Sequence, residues 1–357
     1  MVDVKPFRLG VVEGFFGRQW SWEARRAYAQ FLSRKGFTTY LYAPKNDDCF
    51  RKHWMQRTPA VHIEELSELA KYYRSAGIEF AIGLSPFELY KDFSAAGQQA
   101  LANKLEEINA INPDTLCILF DDMHGAIGNL AQQQLHIMDF VTRTSKARQY
   151  IFCPTYYSDD PILASHFGDM PEHYLDELGS QLDSRIDIFW TGPKVFSEEF
   201  PEDHLLDIAE RLSRKPLLWD NYPVNDSKQL TGHLHLKPFE NRGPTLKSLA
   251  QGHMSNPMNQ ARLSQIPLYT LGQIYQESDI DMDTLLEEAC LVLCPKGLGE
   301  LLLEDSSLFH DRGLDNMNEA EIKAFIDRYT PFREHPMAQE ILGWLQGEYT
   351  FDPACLT

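Results

Sequence analysis

The stretch 9-LGVVEGFFGRQWSWEARRAYAQFLSRKGFTTYLYAP-44 holds, in order, an apolar β-rich run, an amphipathic stretch and a second apolar β-rich run. The outer runs, 9-LGVVEGFF-16 and 38-TTYLYAP-44, are short and rich in Val, Phe, Thr and Tyr, whose branched or aromatic side chains suit a pleated strand. The middle, 21-SWEARRAYAQFLSRKG-36, opens on Ser21 and Glu23 as a capping pair, carries apolar residues at helical steps, and closes on Gly36. Strand, helix, strand in that order is the unit that joins parallel strands.

Outward from this unit the pattern repeats. Further strand runs are 78-IEFAIGL-84, 115-TLCILFD-121, 149-QYIFCPT-155, 186-IDIFW-190, 216-PLLWDN-221 and a weak 252-GHMSN-256. Helical patterns such as 61-VHIEELSELAKYYRSAG-77 and 97-GQQALANKLEEINA-110 fall between them, each with one apolar stripe to bury. Eight strands alternating with helices over residues 1–277 fit a (β/α)8 barrel, an α/β fold of roughly 250 residues. An open doubly wound sheet is disfavoured, because Gly10, Gly14 and Gly17 do not form the phosphate loop that such sheets carry after the first strand. Residues 278–357 lose the strand signal, and 281-DMDTLLEEACLVLC-294, 320-AEIKAFIDRY-329 and 337-MAQEILGWLQGE-348 predict a small helical appendage. That appendage is expected either to pack on the barrel or to mediate a homodimer.

Composition narrows the partners. A net charge of -19 argues against nucleic acid and anionic membranes, which bind concentrated basic surface. No run approaches the roughly 18 apolar residues of a membrane helix. The start, 1-MVDVKPFRLGVVEG-14, lacks the basic segment, apolar run and small-residue site of a secretory signal, so the expected compartment is the cytoplasm. The six cysteines are scattered and read as reduced, mostly buried thiols; Cys290 and Cys294 could share a helix face but have no partner ligands for a metal. No cofactor is expected.

Parallel barrels do their chemistry at the carboxyl ends of the strands. Here those ends deliver Glu13-Gly14-Phe15-Phe16-Gly17, Lys45-Asn46-Asp47-Asp48, Asp121-Asp122, Tyr156-Tyr157, Thr191-Gly192, Trp219-Asp220-Asn221 with Asp226, and Asn256. Carboxylates, amides and aromatic rings around one pocket, without clustered His or Cys, describe a site that holds a sugar. Asp121-Asp122 is the sharpest feature, because two acids ending the apolar run Leu116–Phe120 are costly to bury without a function. A lone Asp there would read as a cap for the next helix. Two together split their protonation, which acid-base chemistry uses. His124 could be imagined as a metal ligand but lacks a second histidine, and His233 and His235, alternating in a polar loop, read as surface.

The blocks Gly10-Val11-Val12-Glu13-Gly14-Phe15-Phe16-Gly17-Arg18 and Tyr40-Leu41-Tyr42-Ala43-Pro44-Lys45-Asn46-Asp47 resemble the family 84 glycoside hydrolases, the O-GlcNAcases and bacterial β-N-acetylglucosaminidases. The resemblance continues through Phe120-Asp121-Asp122, Phe152–Tyr157, Trp190–Lys194, Leu218–Asn221 with Asn225-Asp226, and Ser255-Asn256-Pro257, covering residues 7–275 in order. It implies a retaining, exo-acting β-N-acetylglucosaminidase on a (β/α)8 barrel, in which the substrate's own 2-acetamido oxygen is the nucleophile. By resemblance, Asp121 holds the acetamido N–H, and Asp122 is the general acid and then base. Tyr157 would bond near the acetamido carbonyl, Trp219 would wall the pocket for its methyl, and Asn221 would orient a carboxylate or the acetamide. Gly14, Lys45, Asp226 and Asn256 would grip hydroxyls. The chain departs from the family pattern at Phe16, where many members carry Tyr, and at Asn46, where Asp is frequent.

Three other readings compete. One is a metal-dependent hydrolase using Asp121, Asp122 and His124. Another is a sugar-binding barrel without turnover, against which the catalytic acids and acetamido pocket occur together. The third is an endo-acting hyaluronidase-type enzyme, disfavoured because a long anionic polymer suits a basic groove.

Overall fold

A computed structural model describes residues 5–277 and 281–355. Residues 1–4 of the start discussed above, and the segment just past the expected boundary at 277/278, lie outside the described residues. Eight parallel strands close into a barrel in sequential order: β1 (Arg8–Glu13), β2 (Thr39–Tyr42), β3 (Glu79–Leu84), β4 (Thr115–Leu119), β5 (Gln149–Cys153), β6 (Asp187–Trp190), β7 (Leu217–Asp220) and β8 (Gly252–Ser255). Closure comes from β1 beside β8, with Arg8 opposite Gly252 and Val11 opposite Ser255. Each strand overlaps one of the runs expected from sequence, the weak one at 252–256 included. The strands are buried nearly throughout, as parallel strands covered by helices must be.

The covering helices are α1 (Trp22–Arg34), α2 (Ala60–Ser75), α3 (Ala95–Ile111), α4 (Leu130–Thr144), α5 (Pro161–Phe167), α6 (Tyr174–Gln181), α7 (Glu202–Arg211), α8 (Leu246–Leu249) and α9 (Gln265–Ile274). Ser21 caps α1 by accepting from the Ala24 amide at 3.1 Å. Glu23 stands one position short of the reach-back residue of a capping box, so the expected pair reduces to a single cap with an acid in the first turn. Arg25 of α1 locks the helix to the barrel through the fully buried Glu13, with Nε to Oε2 at 2.9 Å and Nη2 to Oε1 at 2.6 Å, and the Tyr40 hydroxyl donates to the same carboxylate.

The opposite end of the barrel is plugged by polar groups. The first residues of β1 to β6 are Arg8, Thr39, Glu79, Thr115, Gln149 and Asp187. The Arg8 guanidinium reaches Glu79 Oε1 at 2.6 Å and Gln149 Oε1 at 2.5 Å, and lies 3.9 Å from Asp187 Oδ2.

After α9 come α10 (Met282–Leu293), α11 (Lys296–Ser307), α12 (Glu319–Tyr329) and α13 (Pro336–Leu345). Three of these were expected; α11 was not, because Gly297 and Gly299 dilute its helical signal. Gly299 is needed for packing, since a Cβ there would lie 2.6 Å from the Cys290 carbonyl oxygen of α10. The appendage packs on the barrel. Glu340 of α13 accepts from the amides of Arg262 and Leu263 at 2.9 and 2.8 Å, and Leu234 N donates to Phe309 O at 3.1 Å. That contact corrects the surface reading of two histidines: His235 is buried, with Nδ1 2.9 Å from Pro223 O, and His233 is half-buried, with Nδ1 2.7 Å from His310 O. Cys49 is half-buried and the other five cysteines are buried. Among the described residues no helix is long and apolar enough to cross a membrane.

Candidate active site

At the carboxyl end of the barrel one pocket gathers all nine residues singled out from the sequence: Gly14, Lys45, Asp121, Asp122, Tyr157, Trp219, Asn221, Asp226 and Asn256. They come from the ends of β1, β2, β4, β5, β7 and β8 and the loops that follow. β4 ends at Leu119, and the two aspartates lie just past it, where strand alternation no longer forces neighbouring side chains to opposite faces. Asp122 has φ 58°, in the left-handed region, and both carboxylates thereby line the pocket. Asp tolerates that conformation better than most residues, and such strain concentrates at functional sites.

The Lys45 ammonium bonds to Asp121 Oδ2 and stands 3.7 Å from Asp122 Oδ2. Burial alone would lower the lysine, but the two carboxylates outweigh it and hold the ammonium above its ordinary value. Asp121 Oδ1 is buried with no hydrogen-bond partner among the described residues. Tyr157 Oη donates to Asp122 Oδ1 at 3.0 Å, and burial, reinforced by Asp122 and Asp121, raises the phenol well above its usual pKa, so it stays a donor. Asp226 Oδ2 accepts from Phe16 N at 2.8 Å; burial pushes its carboxyl up to about 6, against the pull of that amide.

The asparagines build the wall. Asn221 Oδ1 accepts from Trp219 Nε1 at 2.9 Å and from Asn256 Nδ2 at 3.0 Å, while Asn221 Nδ2 donates to Val195 O at 2.9 Å. Asn256 Oδ1 in turn accepts from Gly14 N at 3.2 Å. Gly14 is obligatory in this wall, because a Cβ would meet Trp219 Cζ2 at 2.5 Å. The indole is thus pinned by a backbone position and an amide, and each asparagine keeps one amide hydrogen for another acceptor.

Other strand-end residues turn away. Glu13 pairs with Arg25. Asp47 accepts from the Tyr42 hydroxyl at 2.6 Å. Asp220 is buried between Arg242 Nε at 2.9 Å and His253 Nε2 at 2.8 Å, which overcome the effect of burial and lower its pKa. Tyr156 donates to Gly168 O at 2.7 Å and does not line the pocket. His124 is exposed and outside the lining, and Lys45, a cation, stands beside both aspartates where the metal-dependent reading needs an ion. Among the described residues no group of three or more His, Cys, Asp or Glu is placed to hold a metal ion. Sequence reasoning missed Leu163, His166 and Phe167 of α5, Val195 and Phe196 after β6, and Cys355, all of which line the pocket.

The family model described as β-N-acetylglucosaminidase matches residues 9–297. The chain belongs to this family. Within the family's orbit it is 30% identical over 288 residues to Protein O-GlcNAcase of Rattus norvegicus, and equally to that of Mus musculus, an alignment covering 77% of this chain and 30% of each relative. The chain therefore spans about a third of those relatives' length. A solved structure of a mutant O-GlcNAc hydrolase from Thermobaculum terrenum is 28% identical, with a TM-score of 0.76 over 96% of this chain and 81% of that one. The (β/α)8 barrel expected from sequence is the fold of this family member.

Proposed function

We propose that the protein is a retaining exo-β-N-acetylglucosaminidase that removes terminal β-linked GlcNAc by substrate-assisted catalysis. The observation that carries this reading is the unpartnered, buried Asp121 Oδ1 in the pocket. A buried acceptor without a donor is costly, and the acetamido N–H of a bound sugar would satisfy it. Asp121, held by Lys45, would orient the acetamide so that its carbonyl oxygen attacks the anomeric carbon, and would stabilise the oxazolinium charge that follows. The attacking group is already tethered to the sugar, so the entropy of bringing it in is largely met, and no third carboxylate is required. Asp122 would protonate the leaving oxygen and then, as base, activate the water that opens the oxazoline. Tyr157 would bond near the acetamido oxygen while fixing Asp122, Trp219 would cover the acetamido methyl, and Asn221 would hold that wall. Gly14, Lys45, Asp226 and Asn256 would grip the sugar hydroxyls.

The names of the relatives make a glycoprotein one source of the sugar. The proposal includes a division into a catalytic barrel, residues 1–277, and a helical segment, residues 278–357, which the end of the strand series at Ser255 favours. The decisive experiment compares hydrolysis of aryl β-GlcNAc, β-GalNAc and β-glucoside. Turnover of the N-acetylated sugars and none of the glucoside is expected; comparable turnover of the glucoside would sink the reading.

A further inference from the structure

One residue lining the pocket, Cys355, comes from a piece of chain outside the barrel strands. Beyond α13 the segment Glu348–Cys355 runs over the loops that follow β1 and β2. Glu348 pairs with Arg18 at 2.9 Å, the Arg18 guanidinium lies 5.0 Å from the Tyr349 ring centre, and Asp352 Oδ2 accepts from Asn46 Nδ2 at 2.5 Å. Asp352 then makes a tight turn, accepting Ala354 N on Oδ1 at 2.8 Å and Cys355 N on its carbonyl at 2.9 Å, and Cys355 drops, buried, into the wall that Asp121 and Asp122 also line. The cavity left encloses about 60 Å3. Ligand pockets commonly measure roughly 300–1,000 Å3, and a water molecule occupies about 30 Å3 of liquid. A few waters fit; a pyranose with its acetamide does not.

We propose that Glu348–Cys355 is an autoinhibitory strap, which must lift from the pocket before a sugar can bind. This rests on the function proposed above and adds its regulation. The other lining residues come from strand ends, the loops that follow them and α5. Among the strap's ties, the Arg18–Glu348 pair lies at the surface, the two side chains being 54% and 51% exposed, and contacts of that kind are weak and open locally. The apparent affinity for substrate is then the intrinsic affinity reduced by the fraction of molecules with the strap lifted.

The test uses the full chain and two readouts: the rate at which iodoacetamide alkylates Cys355, mapped by peptide mass so that Cys153 is scored separately, and kcat/KM on aryl β-GlcNAc. Asp352→Ala removes the Asn46 tie and the turn, and is expected to raise both by roughly three- to tenfold. Asn46→Lys gives Asp352 a cation to pair with, and is expected to lower both. Unchanged alkylation in the two variants overturns the strap, as does faster alkylation with kcat/KM unchanged or reduced. Should the wild-type protein cleave no N-acetylglucosaminide, the functional reading falls, while the labelling rates still decide whether the strap opens: equal rates in all three proteins overturn it.

Discussion

The Tyr157 hydroxyl and the Asp122 carboxylate are joined by a 3.0 Å hydrogen bond across the ends of β5 and β4, with the Lys45 ammonium 3.7 Å from the carboxylate's other oxygen. The general acid proposed here is therefore fixed from two sides before any substrate arrives. Tyr157→Phe keeps the ring and removes one of the two. A hydrogen bond to a charged group contributes about 1.5–3 kcal/mol, so kcat is expected to fall roughly ten- to a hundredfold while the protein stays folded, its melting temperature lowered by no more than several degrees. A variant with wild-type kcat would remove Tyr157 from the chemistry.

Asp122→Ala separates proton donation from the rest of the reaction. Glycosides of poor leaving groups need the proton and should lose about 10²–10⁴-fold, whereas activated aryl glycosides need it far less. Steady-state rates on a series of leaving groups measure the contrast, and equal losses across the series would count against the role.

If the nucleophile belongs to the substrate, weakening it should slow the enzyme. Successive fluorination of the acetamido methyl withdraws electrons from the carbonyl oxygen, and log kcat/KM is expected to fall steadily along the series. A flat response would move the nucleophile onto the protein.

If Asp226 grips the sugar as proposed, binding is expected to depend on pH. Burial raises its carboxyl to about 6, so it is neutral below that value and ionised above it. Sugar hydroxyls donate best to the ionised form, and KM is expected to rise as pH falls through about 6. Asp226→Asn should show a high KM without that inflection; a wild-type KM independent of pH from 5 to 8 would exclude the contact.

Glu340 makes a separate prediction about stability. Burial, only partly offset by the amides of Arg262 and Leu263, raises its pKa from 4.5 to about 7 in the folded protein. Between those values the folded state binds a proton that the unfolded state does not, so stability falls as pH rises from 4.5 to 7, by roughly 3 kcal/mol at most from this group. Glu340→Gln keeps one of the two acceptor oxygens and removes the titration, and should lower the melting temperature while flattening its dependence on pH over that window. An unchanged slope would mean the carboxyl is not buried in solution.

Much of this was legible before folding because it is local. Each barrel strand is a short apolar run, and the polar residues that close or follow a run sit at the active end by topology, which brought Lys45, Asp121, Tyr157 and Asn256 into view beside Glu13, Asp47 and Tyr156; the resemblance to family 84 singled them out. The errors share a cause. Glu13, Asp47 and Asp220 also end strand runs, but their fate depends on partners elsewhere in the chain: Arg25 on the next helix, Tyr42 across a turn, and Arg242 with His253 from other loops. His235 looked exposed because nothing nearby in sequence announces that His310 and its neighbours will cover it. The left-handed backbone of Asp122 and the arrival of Cys355 are likewise tertiary outcomes.

The polar plug around Arg8 makes the barrel a blind well and not a tunnel. If a sugar is cleaved at the aspartates as proposed, it has to back out through the mouth by which it came, and its successor waits until it has gone. On the function proposed above, free N-acetylglucosamine building up outside that one doorway would compete with substrate for the space.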